Sequence, residues 1–328
     1  MLLAGDIGGT KTSLAVFASG DQLHDPLLQQ KFPSGQYPSL EAIVLEFLKP
    51  LQWPIHSACF GVAGPVVGGR AEITNLPWQL DEGTLQEQLH IPSVRLVNDL
   101  AAIAHAIPTL TAGDLHTVNA GKPRPDGSIA VIAPGTGLGE AFLSRNGDQW
   151  MVHGSEGGHA DFAPTTSRQI DLLRHLHERL GHVSCERVCS GLGIPNIYSF
   201  LKDTGFAPEP AWLAEQLRSA EDQTPIIVNA AQNGSEANPL CVETVSMFVS
   251  ILGSEAGNLA LRVLATGGVF IAGGIAPRIL DWLHDGNLMR PFLDKGRMSD
   301  LLVDVPVQVV TNRNVALLGA AAFGFQPR

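Results

Sequence analysis

Basic residues are scarce in this sequence. Lys and Arg number 21 of 328, against 32 Asp and Glu, for a formal net charge of −11, and the 21 form no run. That argues against an extended nucleic-acid-binding face and against an electrostatic membrane anchor. It does not exclude an anionic nucleotide, which a local pocket of backbone N–H groups can hold. Cysteine is also rare: Cys59, Cys185, Cys189 and Cys241 are all there is. No basic segment precedes the short apolar stretch at Leu2 to Ala4, so no secretory signal is read, and free cytosolic thiols are expected. Cys185 and Cys189 stand four apart, but no companion Cys/His pair lies nearby at ligand spacing, so no structural zinc is expected. Without secretion, Asn233-Gly234-Ser235 is a chance match to a glycosylation acceptor.

The familiar nucleotide motifs are missing as well. There is no G-x-x-x-x-G-K-[ST] loop, and the protein-kinase signature set does not occur. Gly135 to Gly139 reads G-x-G-x-G, is followed by Glu140 and leads into a strand, where the dinucleotide fingerprint would open a helix. No apolar run spans a membrane. The longest helical pattern places Val242, Val245, Val249, Leu252, Ala256, Leu259 and Val263 on one face, but Glu243, Glu255, Asn258 and Arg262 interrupt it. It reads as a core helix.

What is present is ample core material, with 45% hydrophobic residues, in a length that suits two domains or one with a large insertion. "LLAGDIGGTKTSLAVF", residues 2–17, reads as strand, turn, strand. "IAVIAPGTGLGEAFLS", residues 129–144, repeats the arrangement, and "GGVFIAGGIAP", residues 267–277, is a third apolar strand with a glycine end. Two Gly/Thr hairpins point to two related α/β domains. Between them, 57–66 and 93–99 read as buried strands, while 39–51, with Ser39 as N-cap, and 315–325 read as helices.

A glycine turn offers backbone N–H groups to a polyphosphate with no side chain in the way, and threonine adds a hydroxyl. An aspartate there would be repelled by phosphate, so its useful role is to hold Mg²⁺ through water. This assigns Gly8, Gly9 and Thr10 to phosphate and Asp6 to the metal. The plain alternative is a hairpin whose Asp and Thr only satisfy the turn; two such hairpins in one chain favour phosphate. Asn98 and Asp99 end an apolar strand, where α/β folds place functional groups, although either could simply cap the helix that follows. Glu156 and His159 lie in a glycine-rich loop, and Glu186 near an expected helix start, where a carboxylate suits the helix dipole. His175 and His177 fall on a charged amphipathic helix and are expected to be solvated. Together Asn98, Asp99, Glu156, His159 and Glu186 could read the hydroxyls of a polyol.

The whole set, in order, resembles the bacterial glucokinases, the non-repressor group of the sugar-kinase/actin-type superfamily. The resemblance runs nearly end to end through "GDIGGTK", "TNLPW" (74–78), "LVNDLAAIAHAIP", "APGTGLGEAFL", "GSEGGHADFAP", "ERVCSGLGI", "AGGIAPRIL" and "KGRMSDLL". It implies an α/β fold of two ribonuclease-H-like, actin-type ATPase domains around a central cleft. Residues 1–109, completed by about 312–328, would form the small domain and 110–311 the large one. It also implies ATP and Mg²⁺ as cofactors, and transfer of phosphate to the C6 hydroxyl of glucose as the first step of glycolytic glucose use. Gly5, Asp6, Ile7, Gly8, Gly9 and Thr10 would form the first phosphate loop, and Gly135, Thr136 and Gly137 the second. Gly273 and Gly274 would approach the adenosine. Asn98, Asp99, Glu156, His159 and Glu186 would bind glucose, with Asp99 as the base. A cytoplasmic homodimer with no nucleic-acid or membrane partner is the implied setting. Lys11 stands where many members carry Asn, and the cysteine cluster of repressor-type sugar kinases is not found. No helix-turn-helix segment is read, so a sugar-responsive repressor is not expected. A kinase for another hexose or amino sugar, or a sugar-binding sensor or an actin-like scaffold that binds nucleotide without useful transfer, are the rival readings. Asp99 together with both glycine hairpins argues against the scaffold.

Overall fold

The computed structural model describes residues 1–328 apart from Gln52, Thr74, Asn75, 233–237, Asp285 and Arg328. The first two residues of the "TNLPW" motif and the Asn233 triplet therefore lie outside the described residues. The chain divides into two units, Met1–Asp114 with Asn312–Arg328, and Leu115–Thr311.

The first unit is built on a five-stranded sheet. Its strands are β1 (Leu2–Ile7), β2 (Lys11–Phe17), β3 (Leu28–Pro33), β4 (Ser57–Val62) and β8 (Ser93–Asn98), in the order β3-β2-β1-β4-β8. β1 pairs antiparallel with β2 and parallel with β4, and β4 pairs parallel with β8. Leu3, Ile7, Leu14, Val16, Phe60 and Val62 are buried on these strands and carry the core. Near-continuous apolar runs are what a sheet covered on both faces requires. A small three-stranded sheet, β5 (Val66–Val67), β6 (Arg70–Glu72) and β7 (Gln79–Asp81), lies between β4 and β8 in sequence. Helix Leu40–Leu48 starts at Ser39, whose hydroxyl accepts the Ala42 N–H as expected of an N-cap. The C-terminal helix Val315–Gly324 packs on β1, on β4 and on helix Asp99–Ala106. Its Gly319 sits so close to Ala102 that any Cβ would collide with the carbonyl oxygen of Ala102.

The second unit repeats the plan. β10 (Ile129–Pro134), β11 (Leu138–Asn146), β12 (Gln149–Ser155), β13 (Gly268–Ile271) and β14 (Val307–Val310) follow the order β12-β11-β10-β13-β14, with β9 (Leu115–Asn119) added at the far edge. The directions match too: β10 is antiparallel to β11 and parallel to β13, and β13 is parallel to β14. The two Gly/Thr hairpins, β1–β2 and β10–β11, thus occupy the same place in two equivalent sheets. Helix Pro239–Val263 is long and apolar enough to cross a membrane by length and composition, but 78% of its most apolar window is buried in this unit. It is the central helix of the second core, with Leu252 and Phe248 fully buried.

Candidate active site

The predicted site residues fall into two sets, one in each unit.

In the first unit the β1–β2 turn is closed by the Gly8 N–H donating to the Lys11 carbonyl at 3.0 Å. It is braced from below: the Ser34 hydroxyl donates to the Gly8 carbonyl at 2.8 Å, and the Ser34 N–H to the Thr10 carbonyl at 3.1 Å. Ser34 is fully buried, shares a 3.0 Å hydrogen bond with the buried Thr12 hydroxyl, and was not singled out in the sequence. Gly5 and Ile7 are core positions. A Cβ at Gly5 would sit 2.6 Å from Phe60 and 2.9 Å from Leu14, and the Ile7 side chain is fully buried, so both support the turn from the sheet. Lys11 is exposed at the start of β2.

β8 ends at Asn98, and helix Asp99–Ala106 begins at the next residue. Asn98 is the N-cap, accepting the N–H groups of Leu100 and Ala101 at 3.0 and 3.2 Å, and its amide donates to the Gly64 carbonyl and to Asp99 Oδ1. The capping reading of Asn98 is thus realised, and it has a consequence. Asp99 Oδ1 accepts from Asn98 at 3.0 Å and from the Leu100 N–H at 2.8 Å, which fixes the carboxylate, while Oδ2 receives no hydrogen bond among the described residues. Burial raises the Asp99 pKa, against the lowering effect of those two hydrogen bonds and of its own backbone N–H. Asp6, on β1, is pushed up to about 6, chiefly by burial and then by the negative charge of Asp99, with Lys31 opposing. A carboxylate whose ionisation is opposed by burial and by a second acid makes a place where a hard divalent cation is favoured, so Asp6 fits the Mg²⁺ assignment.

In the second unit the β10–β11 turn is closed by the Gly135 N–H on the Gly137 carbonyl at 2.9 Å. The segment after Cys189 braces it, with the Gly191 N–H donating to the Gly135 carbonyl at 2.7 Å and the Leu192 N–H to the Thr136 carbonyl at 3.3 Å. Glu186 lies in a short 3₁₀ turn, Cys185–Arg187, and not at the start of the helix that the dipole argument assumed. Its Oε2 instead accepts the Leu138 N–H at 2.9 Å, and a Cβ at Gly137 would collide with that same oxygen. A side chain at 137 would thus displace the Glu186 carboxylate from the Leu138 N–H.

Glu156 and His159 flank the 3₁₀ turn Gly157–His159, with side chains 89% and 63% exposed and His159 Nε2 3.9 Å from Glu156 Oε2. Gly157 and Gly158 let this loop press against β11: a Cβ would collide with Glu140 Oε2 at the first and with the Leu138 carbonyl at the second. Gly273, at φ +81°, has no room for a Cβ beside the Pro134 carbonyl, whereas Gly274 faces open space. The end of β10 therefore gathers the second turn, Glu186, the Glu156–His159 loop and Gly273–Gly274.

One buried acid of this unit was not read from the sequence as anything but the residue after a glycine run. Glu140 is almost fully buried, with Oε1 lacking a hydrogen-bond partner among the described residues. Burial, and then the charge of Glu255, push it up to about 7, while Arg262 opposes. The only available signal was a lone acid in an otherwise apolar strand. His175 corrects another expectation. It is not solvated: its Nε2 is buried 3.7 Å from Asp203 and its ring packs against Phe200, because helix Ser167–Leu180 turns that face inward. His177 is exposed. All four cysteines are buried, and a hydrogen bond to Cys189 together with burial holds the Cys185 thiol well above its ordinary pKa. A cavity of about 670 Å³ lies in the first unit against the three-stranded sheet, lined by Val67, Arg70, Glu72, Leu80, Asp81 and Thr84, and contains none of the predicted site residues.

A glucokinase family model matches residues 3–326. The chain is 43% identical to the glucokinase of Nostoc sp. over 337 aligned positions, covering 98% of both chains. It belongs to the glucokinase family. Among solved structures it is similar to a glucokinase from an Antarctic psychrotroph, at a TM-score of 0.85 and 34% identity over 98% of both chains. A more distant likeness, at a TM-score of 0.64 and 20% identity over 99% of both chains, is to a ROK-family glucokinase from Streptomyces griseus solved with glucose and AMPPNP. The family membership and these likenesses give both units the actin-type ATPase fold that their shared strand order describes.

Proposed function

We propose that this chain transfers the γ-phosphoryl group of ATP to the C6 hydroxyl of D-glucose, forming glucose 6-phosphate and ADP, and so opens glycolytic glucose use in the cytoplasm. The observation that carries the reading is Asp99. It sits at a strand's carboxyl end, one oxygen is fixed by Asn98 and the Leu100 N–H, the other is left without a protein donor among the described residues, and burial raises its proton affinity. Phosphoryl transfer is mostly positioning and charge stabilisation, with one group accepting the proton of the attacking hydroxyl. Asp99 takes that proton on Oδ2. Glu156, His159 and Glu186 orient sugar hydroxyls, and the N–H groups of the two glycine turns hold phosphate oxygens. Gly274, open on its Cβ side, admits the adenosine.

Mg²⁺ would be held at Asp6 through water, where it neutralises charge on the phosphates. The likeness to a structure carrying glucose and AMPPNP supports the sugar and the nucleotide, and the half-buried Asp6, whose ionisation Asp99 opposes, supports the metal. A homodimer without nucleic-acid or membrane partners is the assembly the resemblance implies, and sedimentation velocity tests it. A coupled assay of ADP release over a panel of hexoses and amino sugars tests donor, acceptor and catalysis together. Glucose should give the highest kcat/KM, and EDTA should abolish turnover. Preference for another sugar, or full rate in metal-free buffer, would overturn the corresponding part.

A further inference from the structure

The second unit carries a pair of histidines that the reaction does not use. His116 stands on β9, the edge strand added to the sheet beside β14, and His284 ends the short helix Leu280–Leu283. Their Nε2 atoms face each other at 2.8 Å across 168 residues of sequence, with ring centroids 5.0 Å apart and planes at 75°. The contact is at the surface. Two neutral imidazoles in this arrangement share a single proton, one ring donating and the other accepting. With both rings in the Nδ1–H form, the two lone pairs can instead share a metal ion.

We propose that His116 and His284 form a two-histidine site for a divalent transition-metal ion of the tetragonal class, Cu²⁺ or Ni²⁺, with water completing the coordination. The spacing that the hydrogen bond sets also fits one coordination geometry better than the other. At a metal–nitrogen length of about 2.0–2.1 Å, two nitrogens 90° apart are about 2.9 Å from each other, and at the tetrahedral angle about 3.4 Å. The 2.8 Å seen here matches the first. Imidazole suits these metals, and an ion held by two rings already in place is gripped much more tightly than by one. Bound metal would tie the sheet edge to the end of helix Leu280–Leu283 and stabilise the folded state.

Calorimetric titration of the intact protein with Cu²⁺, and separately with Zn²⁺, tests the site against His116→Gln and His284→Gln. The N-terminal amine lies 2.9 Å from His56 Nδ1 and can bind copper too, so the readout is the difference between proteins. The wild type should bind one more Cu²⁺ equivalent than either variant, or bind it roughly a hundredfold more tightly. Copper should raise the wild-type melting temperature by more than it raises either variant's. Electron paramagnetic resonance should show coupling to two imidazole nitrogens that each substitution reduces to one. Variants that titrate and melt with Cu²⁺ like the wild type would overturn the site. Zn²⁺ bound at this pair as tightly as Cu²⁺ would overturn the tetragonal assignment. Both variants should melt like the wild type without metal and keep its glucose phosphorylation.

Discussion

Glu186 reaches across 48 residues to accept the Leu138 N–H at 2.9 Å, so a residue expected to read sugar hydroxyls also holds the exit of the second glycine turn. Losing that acceptor strands a partly buried N–H, at a cost of about 1–3 kcal/mol. Glu186→Ala should therefore raise KM for ATP as well as for glucose. Steady-state kinetics with each substrate varied decides it: a rise confined to glucose would mean that the turn stands without Glu186.

Asp99→Asn keeps the shape and the tie to the Leu100 N–H but cannot accept a proton. Removal of a general base lowers rate by about 10²–10⁴. Glucose should still bind by calorimetry while kcat falls in that range, whereas Glu156→Gln should raise KM for glucose more than it lowers kcat. An Asp99→Asn enzyme keeping more than about a tenth of kcat would remove the base from Asp99.

Glu140 makes stability depend on pH. Its folded pKa of about 7 lies above the ordinary value of 4.5, so between these values the folded state holds more protons than the unfolded one. The stabilisation linked to this proton is complete below pH 4.5 and is lost as pH rises through 7. Glu140→Gln copies the protonated form. Relative to the wild type it should gain stability between pH 5 and pH 8, on the order of 2–3 kcal/mol. Denaturant titrations at the two pH values measure it, and a difference that does not change with pH would refute the buried-acid account.

Gly158 and Gly274 should respond in opposite ways to the same methyl group. At Gly158 it meets the Leu138 carbonyl, and the loop carrying Glu156 and His159 must move away. At Gly274 it meets nothing. Gly158→Ala should lower the melting temperature and raise KM for glucose. Gly274→Ala should melt like the wild type and raise KM for ATP alone; an unchanged KM for ATP would take the adenosine away from Gly274.

The sheets were legible because their strands are apolar on both faces and their turns are spelled in glycine, as in Leu2–Ile7 and Ile129–Pro134. Helix Pro239–Val263 was legible by its single apolar stripe. What stayed hidden depends on contacts distant in sequence. The acceptor role of Glu186 exists only once Leu138 is beside it, and nothing around Ser34 indicated that it would lie beneath Gly8. His175 was misread because helix periodicity gives the width of an apolar face more readily than the neighbours at its border, here Phe200 and Asp203. Asn98 was read as both a cap and a sugar ligand; its amide is fully engaged with Leu100, Ala101, Gly64 and Asp99, so what it does here is cap the helix and aim Asp99.

Helix Val315–Gly324 seats Gly319 against Ala102, in the helix that begins with Asp99, and so joins two stretches of the first unit between which the whole second unit lies in sequence. During synthesis the stretch 115–311 leaves the ribosome as one continuous unit and can collapse on its own, while residues 1–114 wait for their missing helix. Asp99 thus heads a helix that is seated only after 115–311 has been made. A chain cut short near residue 312 would carry every candidate site residue and still lack the helix that packs beneath the one headed by Asp99.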